Sequence, residues 1–306
     1  MGKQGTSIVW LLVLMLLLVS CGQPNRASEA GPDGITVRIS SSDYGEVEIL
    51  AEMVKALIEN ETDHKVERIL NMTDFISFAA MGQGDLDMYT TFTGTQFMGT
   101  LEQELTPEWR DPDKVWQYVH ERLLDEYGYY TFEPYGYNNV YGLAVSKVTA
   151  GKLKLKTISD IVPYAAEMVL ATDQTFQDRP GQGYKEFCET YGFEFKNAVA
   201  MEMGLMYRAL ATTEADAAVV YTTDGRNSGQ DLVVLEDDKQ FNPPYYGMLI
   251  ARADLLEQYP EIKEAVTPLS GLLDTKTQTE LNAKVDVDGD DPAQVARNFL
   301  QGQGLL

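Results

Sequence analysis

The sequence predicts an α/β protein exported from the cytoplasm, on three observations. Short β-rich runs alternate with amphipathic helical ones along most of the chain, an apolar N-terminal run is too short for a membrane span, and the charge balance is strongly acidic. Alternation of this kind implies parallel sheets covered by helices, because each crossover helix packs back onto the sheet it leaves.

The N-terminus comes first. Lys3 is followed by the unbroken apolar run "IVWLLVLMLLLV" (Ile8 to Val19) and then by "SCG". A charged start, a short apolar stretch and small residues at the cut describe an export signal over residues 1–20. The apolar run falls short of the length a transmembrane helix needs. "LVSC" (Leu18 to Cys21) resembles a bacterial lipobox, in which the cysteine is acylated and becomes the mature N-terminus. The alternative is an ordinary cleaved signal with an incidental cysteine. The following "GQPNRASEAGPDG" has the composition of a flexible tether over residues 21–34, so the folded part is expected to start near Ile35, lipid-anchored outside the cytoplasmic membrane.

From there the elements follow in order. "ITVRIS" reads as a strand, and "EVEILAEMVKALIEN" places Ile49, Leu50, Met53, Val54, Leu57 and Ile58 on one helical face. "HKVERIL" is a strand, "TDFISFAAMGQG" a helix ending in glycines, and "DLDMYTTF" a strand. "DPDKVWQYVHERLLDEYG" opens with Asp-Pro and closes with Gly, the expected start and stop of a helix. The rhythm repeats through "YGLAVS", "TISDIVPYAAE", "MVLATD", "GYKEFCETYG", "AVAMEM", "LMYRALATTE" and "DAAVVY". In "FNPPYYG" two prolines stiffen a turn that feeds the strand "MLIAR", and from Ala253 onward the chain is nearly all helical.

Composition narrows the function. The net charge is −23, and loss of Lys3 with the signal takes the mature chain to −24, which argues against nucleic acid as a partner. The balance suits a cationic or zwitterionic small ligand. With Cys21 committed to lipid, Cys188 has no disulfide partner and reads as core. His64 and His120 are the only histidines, and neither stands near a nucleophile or a metal-type cluster. "GQGDL" (Gly82 to Leu86) lacks the spacing and the lysine of a phosphate loop. "DVDGDD" (Asp286 to Asp291) has its glycine too early for a calcium loop and reads as a helix-capping turn. No catalytic constellation emerges, and neither a cofactor nor a metal is expected.

Aromatic residues beside strand ends carry the remaining signal. "GYNNVYGLAVS" (Gly136 to Ser146), "VVYTTDGR" (Val219 to Arg226) and "LVVLEDDKQFNPPYYG" (Leu232 to Gly247) each join a strand boundary, a polar residue and a tyrosine. With "LDMYTTFTGTQF", "KTISDI" and "ELNAKVDVDGDDPAQVARNFL", they closely resemble the substrate-binding proteins of ABC transporters for glycine betaine, choline and carnitine, over the whole chain after the tether. The resemblance implies a type II periplasmic-binding-protein fold, two doubly wound α/β lobes with the ligand in the cleft between. One lobe would comprise residues 35–137 and 247–306, the other 138–246, joined through "YNNVYGLAV" and "PPYYGMLIA". It also implies a permease subunit as partner and an aromatic cage for a trimethylammonium group, which offers no N–H donor and is held by ring faces.

Residue by residue, the cage implied is Phe92, Tyr141, Tyr221 and Tyr245, with Trp116 as a fifth candidate. Tyr245 would face the ligand and its strand neighbour Tyr246 the other way. Asn139 would place an amide beside the cage, and Thr95 and Arg179 would hold a ligand carboxylate. For each ring the competing reading is a core aromatic, and for Arg179 an exposed loop arginine. Two departures from the family pattern stand out. Ser42 and Asp43 occupy the place of a Lys or Gln that reaches the ligand's polar end, and Phe92 replaces a tyrosine. Asp43 is expected to cap the next helix, with Glu46 completing a capping box. The alternative is a carboxylate beside the ligand, favouring a cation such as choline. The function implied is solute delivery to an ABC importer, with glycine betaine first and choline or carnitine after it; a ligand sensor on the same fold is the competing class.

Overall fold

The computed structural model describes residues 34–104, 106–179, 182–228 and 231–306. The signal, all but the last residue of the tether, and the lipidation candidate Cys21 lie outside the described residues. Among the described residues no helix is long and apolar enough to cross a membrane.

The first half of the chain runs β1 (Thr36–Ser40), α1 (Gly45–Glu61), β2 (Lys65–Ile69), α2 (Asp74–Gln83), β3 (Met88–Phe92), α3 (Thr93–Thr95), α4 (Pro112–Tyr127) and β4 (Tyr129–Thr131). It then passes through β5 (Tyr141–Ser146), α5 (Lys147–Leu153), β6 (Val169–Thr172), α6 (Gln174–Asp178), α7 (Tyr184–Tyr191), β7 (Asn197–Ala200), α8 (Met203–Ala211), β8 (Ala217–Tyr221) and β9 (Leu232–Leu235). It returns in β10 (Gly247–Arg252) and ends in α9 (Ala253–Gln258), α10 (Pro260–Val266), α11 (Thr275–Asp286) and α12 (Pro292–Gly302).

Two five-stranded sheets result, ordered β2-β1-β3-β10-β4 and β7-β6-β8-β5-β9. Each forms the centre of one lobe, with apolar clusters on both faces. The expected face of α1 is buried throughout, with Ile49, Leu50, Met53, Val54 and Ile58 at 0% exposure. The sheets are mixed rather than parallel. β1, β2 and β3 run parallel, as do β6, β7 and β8, but β10 is antiparallel to β3 and β5 to β8. The physical reason lies in connectivity, since β5 and β10 are the strands that enter a sheet from the other lobe. "TISDIVPYAAE" also differs from the rhythm, forming two 3-10 turns around Pro163 while the helix of that βα unit is α5.

Capping follows sequence at some ends and not at others. Asp111 accepts hydrogen bonds from Asp113 N (3.0 Å) and Lys114 N (3.4 Å) to open α4, and Gly128 closes it in the left-handed region at φ 70°. Asp291 caps α12 by accepting from Gln294 N at 3.0 Å, so "DVDGDD" is a capping turn. The capping box expected at α1 does not form. Its N-cap is Tyr44, Asp43 is exposed, and Glu46 is buried among other partners. The carboxylate over the first turn comes instead from Asp286 of α11, which packs directly against Gly45. His64 accepts from Ile35 N at 3.2 Å and pairs with Glu261 at 3.0 Å, and His120 bonds Thr131, so both histidines serve the scaffold.

The crossovers lie side by side between the lobes. Asn139 N donates to Tyr245 O at 2.9 Å, and Asn138 and Tyr246 form an antiparallel bridge. A third contact joins the lobes without chain continuity. The turn Gly225–Asn227, beyond β8, seats on α11 so closely that a Cβ at Gly225 would lie 2.6 Å from Ala283 N. Asn282 Nδ2 donates to Thr223 O at 2.7 Å and Thr279 Oγ1 to Thr222 O at 3.2 Å.

Candidate ligand-binding cleft

Tyr141 opens β5, Tyr221 closes β8, and antiparallel pairing makes them direct register partners. Cross-strand partners project to the same side of a sheet, so their rings meet. The centroids are 4.9 Å apart at an interplanar angle of 26°, and the hydroxyls are 3.2 Å apart. Phe176 of α6 meets the Tyr141 ring edge-on at 5.0 Å, fixing one side of the pair. α6 is itself fixed by Asp173, which accepts from Phe176 N at 2.7 Å.

The "PPYYG" crossover brings the third ring. Tyr245 N donates to Asn138 Oδ1 at 2.8 Å, and the ring lies flush on Gly94, where a Cβ would approach it to 2.6 Å. Any larger residue at Gly94 would push the ring away. Tyr246 N instead donates to Thr93 Oγ1 at 3.1 Å. Arg179, just past α6, donates from Nη2 to the Tyr245 hydroxyl at 3.3 Å, its only side-chain hydrogen bond among the described residues.

These groups enclose a cavity of about 230 Å³. Phe92, Thr95, Asn139, Tyr141, Arg179, Tyr221 and Tyr245 all line it. Tyr246 is not among its walls, so the neighbours in "YYG" do separate. Asp43 and Trp116 are not brought to the cavity either. Trp116 sits on α4, donating Nε1–H to Phe132 O at 3.0 Å and stacking on His120 at 5.4 Å, so it completes the packing between α4 and its sheet. Gln182, Asn242, Pro243 and Val140 also line the cavity, although none was expected among the ligand-binding residues. Asn242 Nδ2 donates to Tyr141 O at 2.8 Å and to Asp237 at 3.0 Å, and Gln182 reaches across the cleft to Met98 Sδ at 3.2 Å. Asn-Pro and Gly-Gln-Gly look like turns in sequence, which hides both polar side chains. Only the adjacency of Asn242 to "PPYYG" pointed to it.

Electrostatically the site pairs neutral rings with a cation. Burial holds the Tyr141 phenol well above its ordinary value, helped by its hydrogen bond to Tyr221, and burial likewise raises Tyr221. Both rings therefore stay neutral at physiological pH. Asp173 and Arg179 stand close enough to exert opposite fields on the pair. Among the described residues no carboxylate and no histidine lines the cavity. The arrangement offers aromatic faces to a group without N–H donors and a guanidinium to an anionic end.

Comparison with known proteins agrees with this geometry. Residues 35–302 match the family model described as the substrate binding domain of ABC-type glycine betaine transport system, and the chain belongs to that family. It is thus an extracytoplasmic substrate-binding component of an ABC importer. The carnitine transport binding protein OpuCC of Listeria monocytogenes is 35% identical over 295 residues, covering 96% of this chain and 94% of its own length. The ergothioneine transport permease/ergothioneine binding protein EgtU of Helicobacter pylori is 29% identical, with 98% of this chain aligned to 53% of that longer one. A solved structure, described as a glycine betaine/carnitine/choline ABC transporter, superposes with a TM-score of 0.83 at 33% identity, covering 88% of this chain and 98% of that one.

Proposed function

We propose that the cavity captures a quaternary ammonium osmoprotectant, glycine betaine first, and delivers it to the permease subunit of an ABC importer. Phe92, Tyr141, Tyr221 and Tyr245 form the cage, Arg179 and Thr95 take the carboxylate, and Asn139 orders the wall between them. The observation that carries this reading is convergence. Three tyrosines and a phenylalanine from both sheets and a crossover, with a guanidinium from the end of α6 that has no ion-pair partner among the described residues, line one small cavity. A core cluster of aromatics has no need of the guanidinium, and an exposed arginine has no need of the rings. Each ring face contributes roughly 0.5–2 kcal/mol toward a desolvated cation.

In this reading residues 35–137 with 247–306 and residues 138–246 are the lobes that close on the ligand, and the protein binds and hands over without chemistry. A permease partner is supported by the Helicobacter pylori relative, whose name joins permease and binding protein in one chain. Anchoring through an acylated Cys21 would keep the lobes beside that permease, and Cys21→Ser should release the protein from membranes on cell fractionation. Choline or carnitine selectivity on the same cage is the second reading, favoured by the name of the Listeria relative. Calorimetric titration of the purified protein with glycine betaine, choline, carnitine, proline betaine and common amino acids tests the proposal. Saturable binding confined to the quaternary ammonium compounds supports it, and binding of amino acids alone would refute it.

A further inference from the structure

Asn139 lines the aromatic cavity with one polar atom to spare. Its backbone N–H donates to Tyr245 O at 2.9 Å and its side-chain Nδ2 to Glu46 Oε1 at 3.2 Å, while Oδ1 is buried with no partner among the described residues. A buried acceptor left unmade is costly, so an orphan beside a ligand cavity is most simply met by the ligand. Which amide atom is orphaned is decided further back. Thr223 O accepts from Asn282 Nδ2 at 2.7 Å, and Asn282 Oδ1 accepts from Gln278 Nε2 at 2.7 Å. A backbone carbonyl only accepts, so the Asn282 amide can stand only one way round. Its Nδ2 also donates to Glu46 Oε2 at 3.0 Å, and Tyr137 Oη donates to Glu46 Oε1 at 3.1 Å. Glu46 is 3% exposed, forms no ion pair among the described residues, and burial pushes its carboxyl up. Such a group is costly to keep. What it supplies is direction: a carboxylate only accepts, so Asn139 turns its N–H to Glu46 and keeps its carbonyl oxygen unspent.

We propose that Glu46 is a positioning residue, which orients the Asn139 amide so that Oδ1 rather than N–H meets the polarised N-methyl groups of a caged trimethylammonium. This rests on the cage reading above and deepens it, adding a fixed dipole to the ring faces. Asn139 stands at that end of the cavity, bonded to the backbone of Tyr245 and two residues before Tyr141, both cage rings. Methyl C–H groups on a cationic nitrogen are weak donors, and an amide oxygen suits them where an amide N–H would repel them. Glu46→Gln reverses the arrangement. The new amide has one acceptor oxygen, and the fixed Asn282 N–H claims it, so the new NH2 faces Tyr137 and Asn139. The Tyr137 hydroxyl can rotate to accept. The Asn139 amide has to turn over, which puts its own NH2 where Oδ1 stood.

The test is calorimetric titration of the purified protein with glycine betaine, choline and their carbon isosteres, in which a tert-butyl group keeps the shape of trimethylammonium without its charge. Glu46→Gln should weaken both quaternary ammonium ligands about tenfold or more and the isosteres by less than about twofold. In an Asn139→Ala background the same substitution should cost nothing further, because the group it acts through is gone. Equal losses for charged ligand and isostere overturn the proposal while leaving the cage intact, reducing Glu46 to scaffold. A loss that persists undiminished in the Asn139→Ala background overturns it too. Should Glu46→Gln fail to fold, Asn139→Ala alone decides, since it should narrow the gap between each ligand and its isostere, and an unchanged gap overturns the proposal. Failure of wild type to bind any quaternary ammonium removes the cage reading, and this inference with it.

Discussion

Replacing Arg179 separates ligands that share a head group, and the structure sets the size of the effect. The guanidinium has two roles in the proposed complex. It donates to the Tyr245 hydroxyl at 3.3 Å, and it is the only cation lining the cavity among the described residues. Losing the first role costs any caged ligand something, because Tyr245 is then held by its backbone and by Gly94 alone. A neutral-acceptor bond of that kind is worth about 0.5–1.5 kcal/mol net. Losing the second costs only a ligand with a carboxylate, on the order of 2–5 kcal/mol for truncating one side of a buried charged pair. Arg179→Ala should therefore weaken glycine betaine by roughly 2–5 kcal/mol and choline by no more than about 1.5 kcal/mol, read by calorimetry at fixed salt. Tyr245→Phe supplies the control, removing the hydroxyl but not the charge, and should cost both ligands the same small amount. Equal losses for betaine and choline in Arg179→Ala would refute carboxylate recognition, leaving the arginine as a prop for Tyr245. No loss for either would return it to an exposed-loop role.

Further outcomes follow from the same geometry. Tyr141→Ala or Tyr221→Ala should weaken quaternary ammonium binding by roughly 1–3 kcal/mol, while the Phe variants should cost much less, since Phe92 already serves as a bare ring. Equal damage from Ala and Phe would mean that the 3.2 Å hydroxyl pair, not the ring faces, supports binding. Asp74 is a stability switch away from the cavity walls. Its carboxylate accepts from Thr91 at 2.7 Å, and burial raises its pKa from 3.8 to about 6. The folded state thus holds this proton more tightly than the unfolded one. The group's stabilising contribution is full below about pH 3.8 and is lost as pH rises to about 6. Asp74→Asn should accordingly stabilise the protein at pH 7 by up to about 3 kcal/mol and change little near pH 4, as denaturant melts at the two pH values would show.

The rhythm of the fold was legible because it rests on local hydrophobic periodicity, which strands and crossover helices cannot disguise. Strand direction was not, because β5 and β10 look like any buried strand and become antiparallel only by arriving from the opposite lobe. Asp43 has the right residue type and spacing for a cap, yet Asp286 takes that position from the far end of the chain. No local pattern announces a competitor so distant in sequence. The site divides in the same way. Tyr141, Tyr221, Tyr245, Phe92, Asn139, Thr95 and Arg179 were reached through strings long enough to carry a family resemblance. Trp116 was reached by residue type alone, and its indole N–H has a backbone partner outside the cavity. Gln182 and Asn242 are polar residues in turn-like stretches, where nothing in the sequence distinguishes a wall from a solvated surface.

The Gly225 turn resting on α11 has a consequence for signalling. A permease must tell a loaded binding protein from an empty one, and the two crossovers alone would leave that distinction to the ligand. The clasp is a non-covalent weight on the same scale. Its bonds from Asn282 and Thr279 hold the segment just after Tyr221 against the other lobe with no help from a ligand. A contact that forms only when the lobes are together raises the fraction of empty molecules with a closed face, and a ligand can then report its presence only through the population it adds. Loosening the seat at Gly225 would thus sharpen the contrast between empty and loaded protein while lowering apparent affinity. Tightening it would do the reverse, and Gly225, where a Cβ would lie 2.6 Å from Ala283 N, is the position at which that seat can be adjusted.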